Sequence, residues 1–273
     1  MTPSAPPHMK VVTSRQNPIV RLFREAADAP DEEGARLLLD GAHLLREAMA
    51  AGITLETVAV ASSSIERASE EGRLAEELAR EGVMVMTAAD RVFDALSPVK
   101  RPSGIVAIAR RSPTAVRDVC AGGGAFVLAA VDIQDPGNVG ALLRAAEAGG
   151  ITGAFVCGRS ANPFSWKALR GSMGSTLRLP VVGGISAAAA LDCMASAGLR
   201  SIAAIPRGGA DPDRIDWRPA TGLLVGGEGP GLPDDVVDRC DARVTIPMAP
   251  AVESLNVAVA AAILVYAARR QRT

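Results

Sequence analysis

The sequence predicts an α/β protein built from two domains, and three observations lead to this expectation. Short apolar runs alternate with amphipathic segments along most of the chain, which is typical of strands that alternate with helices. Apolar residues make up 48% of the 273 residues, enough to build a core. Residues 112–124 contain Pro113 and a run of three glycines, which predicts a boundary. We therefore expect an N-terminal domain at 1–111, a linker at 112–124 and a C-terminal domain at 125–273.

The N-terminal domain is predicted to be a small α/β unit. Two of its helices should end at Gly52 and Gly82, because glycine readily takes the left-handed conformation that ends a helix. A short helix is expected to start within 14–24. The other helices are predicted at 42–51, 66–81 and 88–96, and the strands at 36–41, 55–61, 83–86 and 105–109.

The C-terminal domain is predicted to contain a parallel sheet. A long apolar run at 125–133 ends in the polar loop 134–138, a helix follows at 139–148, and a strand at 151–157 completes a βαβ unit. Because open α/β sheets bind ligands at the carboxyl ends of their strands, this loop is a candidate ligand contact. Further strands are predicted at 201–205 and 222–225, and further helices at 162–170 and 186–197.

Two Gly/Pro-rich segments near the C-terminus predict a ligand-binding site. The strand at 222–225 runs into Gly226-Gly227-Glu228-Gly229-Pro230-Gly231, where four glycines in six residues allow close approach of the backbone to a ligand. The second segment, 246–257, leads into an alanine-rich apolar helix. Ser254 is the expected N-cap of that helix, which should then start near Leu255.

The composition and the motifs of the sequence exclude several classes of protein. With a net charge of −1, any nucleic-acid surface must be a local patch. The four cysteines lack metal-ligand spacing, so we expect buried reduced thiols and no metal. His8 and His43 offer no Ser/His/Asp arrangement, and there is no P-loop. We see no signal peptide, and the longest apolar stretch, 257–268, is shorter than the ~20 residues that span a bilayer, so we expect a cytoplasmic protein.

Three motifs in a fixed order resemble the SpoU (TrmH) family of RNA ribose 2'-O-methyltransferases, within the SPOUT superfamily. The first motif is Asp135-Pro136-Gly137-Asn138-Val139-Gly140-Ala141-Leu142-Leu143-Arg144-Ala145-Ala146. The second is Gly226-x-Glu228-Gly229-x-Gly231-Leu232. The third is Ile246-Pro247-Met248 followed by Ser254-Leu255-Asn256-Val257. Together they extend the resemblance over residues 125–272.

The resemblance implies S-adenosylmethionine as methyl donor, a chain end threaded into a trefoil knot, and a homodimer with the active site near the subunit interface. The implied catalytic residues are Asn138, Arg144, Glu228, Ser254 and Asn256. The implied cofactor-binding residues are Gly226, Gly229, Ile246, Met248 and Leu255. This chain has Gly227 where the family often has Asn or Ser, so a side-chain contact is expected to be absent there.

Arg144 lies six residues after Asn138, so we expect the two along one side of the loop and helix that carry them. A protonated arginine would stabilise the developing alkoxide and hold a phosphate. The family's proposal that this arginine helps to deprotonate the ribose hydroxyl is the alternative, and the sequence leaves both roles open.

Two basic segments are candidate RNA contacts. Arg15, Arg21 and Arg24 lie in the first predicted helix with little acid nearby, and Lys100 and Arg101 lie in a Pro-flanked loop. A solvated helix face is the alternative interpretation of the first segment.

The N-terminal pattern, from Leu39-Asp40-Gly41 to Pro102-Ser103-Gly104, resembles the substrate-binding domain attached to many SpoU enzymes. That resemblance implies rRNA as substrate, since tRNA-specific relatives usually lack this domain. The alternatives are tRNA ribose methylation and a catalytically inactive RNA-binding relative. A nucleotide-binding oxidoreductase is disfavoured because the glycines at 226–231 lack the Gly-x-Gly-x-x-Gly spacing.

Overall fold

The computed structural model describes residues 9–227 and 229–272, and the chain divides into two units. Unit 1 comprises residues 1–112 together with Phe164–Trp166, and unit 2 comprises 113–163 together with 167–273.

Unit 1 contains a mixed sheet with helices on it. The strands in its described part are β1 (Lys10–Val12), β2 (Arg36–Asp40), β3 (Thr54–Ala61), β4 (Val85–Ala88) and β5 (Ile105–Arg110). The helices there are α1 (Pro18–Asp28), α2 (Ala42–Ala50), α3 (Ser62–Glu66), α4 (Glu70–Arg80) and α5 (Asp90–Phe93). The strand order is β1-β4-β3-β5-β2, in which β5 runs antiparallel to β2 and β3 and the other pairs are parallel.

Two predicted helices of unit 1 differ from the observed ones. The helix predicted at 66–81 starts later, as α4 at Glu70, because α3 ends at Glu66, Ala68 takes a φ of +48° and the Ser69 hydroxyl caps α4 by accepting a hydrogen bond from the Gly72 amide. The helix expected at 88–96 shrinks to α5, since β4 starts at Val85 and extends to Ala88. Strand β1 lies in a segment without a predicted element.

Unit 2 is built on a parallel sheet. The described strands from the boundary onwards are β6 (Phe126–Val131), β7 (Gly153–Cys157), β8 (Val181–Ile185), β9 (Arg200–Ala204), β10 (Thr221–Gly226) and β11 (Ala242–Val244). The helices are α6 (Val116–Val119), α7 (Pro136–Gly149), α8 (Trp166–Ser172), α9 (Ser175–Arg178), α10 (Ala187–Ser196), α11 (Asp234–Asp238) and α12 (Val257–Arg272), with a 3₁₀ turn at Pro212–Arg214. The order is β11-β9-β10-β6-β7-β8 and each of these pairs is parallel, which confirms the predicted sheet.

Several helices of unit 2 start at positions other than the predicted ones. Helix α7 starts at Pro136 rather than at 139, because the Asp135 carboxylate accepts a hydrogen bond from the Asn138 amide and proline suits a first turn. Helix α8 starts at Trp166, four residues after the predicted Asn162. The predicted linker contains α6, and α9, α11 and β11 lie in segments without a predicted element.

Helices α7 and α12 pack tightly against each other. Gly149 makes this possible, since a Cβ there would lie 2.0 Å from the Cγ1 atom of the buried Val265. The Arg269 guanidinium also donates to the Ala148 carbonyl near the end of α7. The contact joins the helix that carries the first sequence motif to the helix that follows the third motif.

Arg272 fixes the C-terminal end of α12. Its guanidinium donates to the backbone carbonyls of Gly124, Trp217 and Pro219 and lies 4.9 Å from the centre of the Phe126 ring. Burial lowers the pKa of Arg272, while the carbonyls and the ring face replace part of its lost hydration. Because this end is held, the first turn of α12 has a defined position at the carboxyl ends of the strands.

The cysteines of unit 2 are free thiols. Cys120 and Cys157 are buried, and Cys193 and Cys240 are partly buried. Burial raises the pKa of Cys157 to about 12, so this residue is not a thiolate at neutral pH. In the described residues, no group of three or more His, Cys, Asp or Glu side chains is placed to hold a metal ion, and no helix has the length and apolar character of a membrane span.

Candidate active site

A cavity of about 380 Å³ lies at the carboxyl ends of β9, β10 and β11. Its walls are the end of β9 with the residues that follow it, the glycine-rich loop after β10, the segment after β11 and the first two turns of α12. The lining residues are Ala204, Ile205, Pro206, Val225, Gly226, Gly227, Gly229, Pro230, Gly231, Val244, Ile246, Met248, Ser254, Leu255, Asn256, Val257, Ala260 and Leu264. No charged side chain lines the described part of the cavity, so a ligand there would be held by apolar contacts and neutral polar groups.

All five residues predicted to bind a cofactor line this cavity. They are Gly226, Gly229, Ile246, Met248 and Leu255. They come from two segments, one after β10 and one between β11 and α12, which the fold brings together because β10 and β11 flank β9 in a parallel sheet.

The glycines of the loop after β10 are required by close backbone contacts. A Cβ at Gly226 would lie 2.2 Å from the Gly231 carbonyl carbon, where the loop folds back on the strand. At Gly227 a Cβ would lie 2.2 Å from the Asp132 carbonyl oxygen, at the end of β6. Gly229 takes the left-handed conformation, with a φ of +93° and open space at its missing side chain. Thus Gly227, where a side-chain contact was expected to be absent, stands at a position that has no room for a side chain.

Asn256 caps the last helix and joins two motifs. Its Oδ1 accepts hydrogen bonds from the amides of Ala258 and Val259, at 3.0 and 3.3 Å. Its Nδ2 donates to the Asn138 Oδ1 at 3.1 Å. The prediction that Ser254 is the N-cap is therefore wrong: α12 starts at Val257, and the longer amide side chain of Asn256 reaches its first free amides. Ser254 is exposed at the cavity wall.

Arg144 is exposed on α7 and makes no hydrogen bond or ion pair with another described residue. Asn138 lies inside the same helix, so a separation of six positions places the two side chains about 120° apart around the helix axis and about 9 Å apart along it. The expectation that both lie on one side is wrong, because it assumed that the helix starts after Asn138. Neither residue lines the cavity described above.

The face of α7 that carries Arg144 also carries its contact with α8. A Cβ at Gly140 would lie 2.4 Å from the Ala168 carbonyl oxygen, and a Cβ at Gly171 would lie 3.3 Å from the Gly137 carbonyl oxygen. Arg144 follows Gly140 by one helical turn. The motif glycine therefore serves packing, and it places the α7 surface around Arg144 beside the end of α8.

Glu228, the remaining predicted catalytic residue, lies outside the described residues. Its neighbours Gly227 and Gly229 both line the cavity.

The predicted RNA contacts lie in unit 1, where the first basic segment contacts the stretch of chain that leads to the second. Arg15 donates through Nε and Nη2 to the Arg91 carbonyl, and Arg24 donates through Nε to the Ala95 carbonyl. Lys100 and Arg101 are exposed a few residues further along the same segment. Arg21 instead forms an ion pair with Glu25 at 2.6 Å on α1.

Comparison with known proteins assigns the chain to a family. Residues 125–266, just over half of the 273 residues, match the sequence profile of the SpoU rRNA Methylase family. The chain belongs to this family. A protein of Synechocystis sp. that is named as an uncharacterized tRNA/rRNA methyltransferase is 33% identical over 268 residues, covering 96% of this SpoU chain and 94% of that protein.

Two further relatives of this SpoU chain carry more specific descriptions. The 23S rRNA (guanosine(2553)-2'-O)-methyltransferase RlmP of Bacillus subtilis is 27% identical over 259 residues, covering 94% of this chain and 98% of the relative. The crystal structure of an AdoMet-bound rRNA methyltransferase from Sinorhizobium meliloti matches the fold with a TM-score of 0.82 at 28% identity, covering 96% of this chain and 98% of that one.

Sequence reasoning missed part of the site in this SpoU protein. Ile205 and Pro206 line the cavity directly after β9, and Leu264 lines it from the second turn of α12. The strand at 201–205 was predicted, and the rule that ligands bind at carboxyl ends of strands could have marked Ile205 and Pro206. Arg91, whose carbonyl accepts the Arg15 hydrogen bonds, was not among the sequence-predicted contacts.

Proposed function

We propose that this protein is an S-adenosylmethionine-dependent RNA ribose 2'-O-methyltransferase that acts on rRNA in the cytoplasm. The observation that carries the proposal is the cavity bounded by the glycine-rich loop, the segment after β11 and the first turn of α12, in a chain of the SpoU rRNA methylase family. These segments contain the second and third sequence motifs.

The cavity fits S-adenosylmethionine. Its volume of about 380 Å³ lies in the range of small-molecule sites, about 300–1,000 Å³. Ile205, Val225 and Leu264 offer apolar surface for an adenine ring, and the glycines expose backbone groups that can hydrogen-bond its edge. Gly226, Gly229, Ile246, Met248 and Leu255 are the residues that would hold the cofactor. When bound, it supplies an electrophilic methyl group on a sulfonium centre.

Arg144 is proposed as the residue that stabilises the ribose oxygen as it loses its proton. An arginine remains protonated in proteins and offers a planar set of donors that suits an alkoxide or a phosphate. Its exposed position leaves all of these donors available to RNA. Electrostatic stabilisation of this kind needs no proton transfer to the arginine, which favours this role over that of a base.

Asn138 and Asn256 are proposed to position the reacting groups. Their mutual hydrogen bond fixes the first turn of α7 relative to the first turn of α12, which forms the cavity wall. Ser254, exposed at the same wall, would contact substrate or cofactor directly. Glu228 completes the proposed catalytic set as a hydrogen-bond acceptor in the glycine loop.

The proposal of rRNA as substrate is supported by relatives that align along nearly the whole chain. The Bacillus subtilis protein is named for 2'-O-methylation of a guanosine in 23S rRNA, and the Sinorhizobium meliloti structure is described as an rRNA methyltransferase. Both alignments include unit 1. We propose residues 1–111 as the RNA substrate-binding domain, 112–124 as the linker and 125–273 as the methyltransferase domain.

We also propose a homodimer and a trefoil-knotted C-terminal end. Val259, Ile263 and Tyr266 recur at helical spacing on α12 and are 49%, 42% and 48% exposed, forming an apolar stripe that a second copy could cover. The knot is proposed from family membership, and the return of α12 onto α7 is compatible with it.

Transfer of labelled methyl from S-adenosylmethionine to unmodified rRNA and tRNA transcripts tests the substrate. The proposal predicts label in rRNA alone. Label confined to tRNA would replace the rRNA assignment. Calorimetric binding of S-adenosylmethionine and RNA with no transfer to any RNA would identify an inactive RNA-binding relative instead.

A further inference from the structure

The sheet of unit 1 separates its helices onto two faces. Leu38, Ala59, Met86 and Val106 pack in one core with residues of α1 and α5. Their strand neighbours, such as Leu39, point to the other face because side chains alternate along a strand. Helices α2 and α4 pack against these strands without belonging to the first core, so they cover the second face.

The two faces carry opposite charge. Residues 62–81, which include α3 and α4, contain six glutamates and three arginines. Residues 15–28 and 90–101, which include α1 and α5, together contain six basic and four acidic residues. The basic residues of this face are Arg15, Arg21, Arg24, Arg91, Lys100 and Arg101, and the acidic ones are Glu25, Asp28, Asp90 and Asp94. An excess of positive charge on one face attracts a polyanion.

Arg15 and Arg24 hold the two basic segments in one surface. Both guanidinium groups donate to carbonyls of the segment that follows β4, at distances of 2.8–3.2 Å. The Arg15 contact is to the carbonyl of Arg91, so the Arg15 guanidinium lies beside the Arg91 backbone. The Arg91 side chain is exposed and its guanidinium has no hydrogen-bond or ion-pair partner among the described residues.

The loop with Lys100 and Arg101 is fixed to the sheet by a buried carboxylate. The Ser97 hydroxyl donates to the Asp40 Oδ2 at 2.7 Å, and its oxygen accepts a hydrogen bond from the Val99 amide at 3.2 Å. Asp40 is at the end of β2 and only 6% exposed. The two basic side chains follow Val99 directly, so they project from a turn with a defined conformation.

We propose that Arg91 is an RNA-phosphate contact at the centre of a single surface formed by Arg15, Arg24, Arg91, Lys100 and Arg101. This proposal rests on the proposed function, and it names the part of the protein that holds the RNA backbone and a residue not among the sequence-predicted contacts. Arg21 is not counted in this surface, because its charge is compensated by the ion pair with Glu25. The partner is the phosphate backbone of RNA, which a surface of guanidinium and ammonium groups recognises without regard to sequence.

The test compares Arg91→Ala with Arg80→Ala in the full-length protein. Arg80 is exposed at the end of α4, on the opposite face, so both variants lose the same charge. RNA affinity is measured by fluorescence anisotropy at several salt concentrations, with S-adenosylmethionine affinity and methyl transfer at saturating RNA as controls. Arg91→Ala should raise the Kd for RNA about fivefold near 0.1 M salt and lower the salt slope by about 0.7–0.9, the loss of one phosphate contact. Arg80→Ala should change neither quantity.

Equal RNA affinity and equal salt slope in the two variants would overturn the proposal, provided that wild-type protein transfers methyl groups. Arg91→Lys should recover most of the salt slope, since it retains the charge; no recovery would mean that the loss is structural and would also count against the contact. A wild-type protein without RNA binding or transfer would instead refute the proposed function. These outcomes separate the two failures.

Discussion

At the scale of single residues, Asn256 both caps α12 and holds the side chain of Asn138. One side chain satisfies two free amides at the start of α12 and binds the Asn138 side chain on α7. The motif asparagine of the last segment is therefore a structural residue as well as a proposed catalytic one. Its two roles can be separated because the cap needs only an acceptor, whereas the bond to Asn138 uses a donor.

Asn256→Ala should lower the free energy of unfolding by about 1 kcal/mol, the usual cost of removing a helix cap. Asn256→Asp keeps the cap acceptor and should remain within about 0.5 kcal/mol of wild type, since Asp and Asn cap helices equally well. Urea denaturation measures both. If the Asp variant were as unstable as the Ala variant, the cap would not be the source of the stability.

Arg144→Ala should reduce methyl transfer by about 10²–10³-fold, the effect of removing one donor that stabilises a developing oxyanion. Binding of S-adenosylmethionine should stay within about twofold, because Arg144 is not part of the described cavity wall. Arg144→Lys keeps the charge without the planar fork and should show intermediate activity. Near-normal turnover by the Ala variant would refute the assigned role.

At the scale of elements, α7 is positioned by close contacts along its length. Gly140 lets the backbone of α8 approach its first turns, and Gly149 lets Val265 of α12 pack against its last turn. The Asn138–Asn256 bond adds a polar link near the cavity. Both glycines act through the absence of a side chain, so their role is geometric.

Gly140→Ala should destabilise the protein by about 2 kcal/mol, because the new methyl group would meet the backbone of Ala168, which cannot rotate away. Gly123→Ala is the matched control: a Cβ there meets nothing within 4 Å. Thermal and urea unfolding compare the two. Equal stability of both variants would show that α7 and α8 can separate without cost.

Strand interiors could be predicted from the sequence, whereas element ends often could not. Apolar runs such as Val127–Val131 marked the parallel strands because both faces of that sheet are covered. Helix starts at Pro136 and Val257 were missed because each depends on which of several polar side chains reaches a free amide. The start of α7 also decides the angle around the helix axis between the Asn138 and Arg144 side chains, because it determines whether Asn138 is part of the helix. The motif positions gave the five predicted cofactor-binding residues, all of which line the cavity, and at Gly226 close backbone contacts demand glycine.

At the scale of the whole molecule, the net charge of −1 conceals a separation of charge within unit 1. Acidic residues concentrate on the α3/α4 side and basic residues on the α1/α5 side. Total charge therefore says little about RNA binding by this chain. The apolar stripe on α12 is a second surface feature that composition alone does not show.

The double variant Ile263→Glu/Tyr266→Glu should convert the proposed dimer to a monomer in light scattering, because two charges would be buried unpaired in the interface. Val11→Glu, at a residue that is 65% exposed in unit 1, is the control and should leave the mass unchanged. A monomeric wild-type protein, or a double variant that remains dimeric, would contradict the assignment of this stripe.

The most direct test of ribose methylation is alkaline hydrolysis of rRNA labelled by the wild-type protein. A 2'-O-methyl group removes the hydroxyl that attacks the neighbouring phosphodiester, so the label should appear in alkali-stable dinucleotides and, after enzymatic digestion, in a 2'-O-methylated nucleoside. Label released in mononucleotides as a methylated base would contradict the proposed chemistry. A protein that neither binds S-adenosylmethionine nor transfers label would contradict the assignment of the cavity itself.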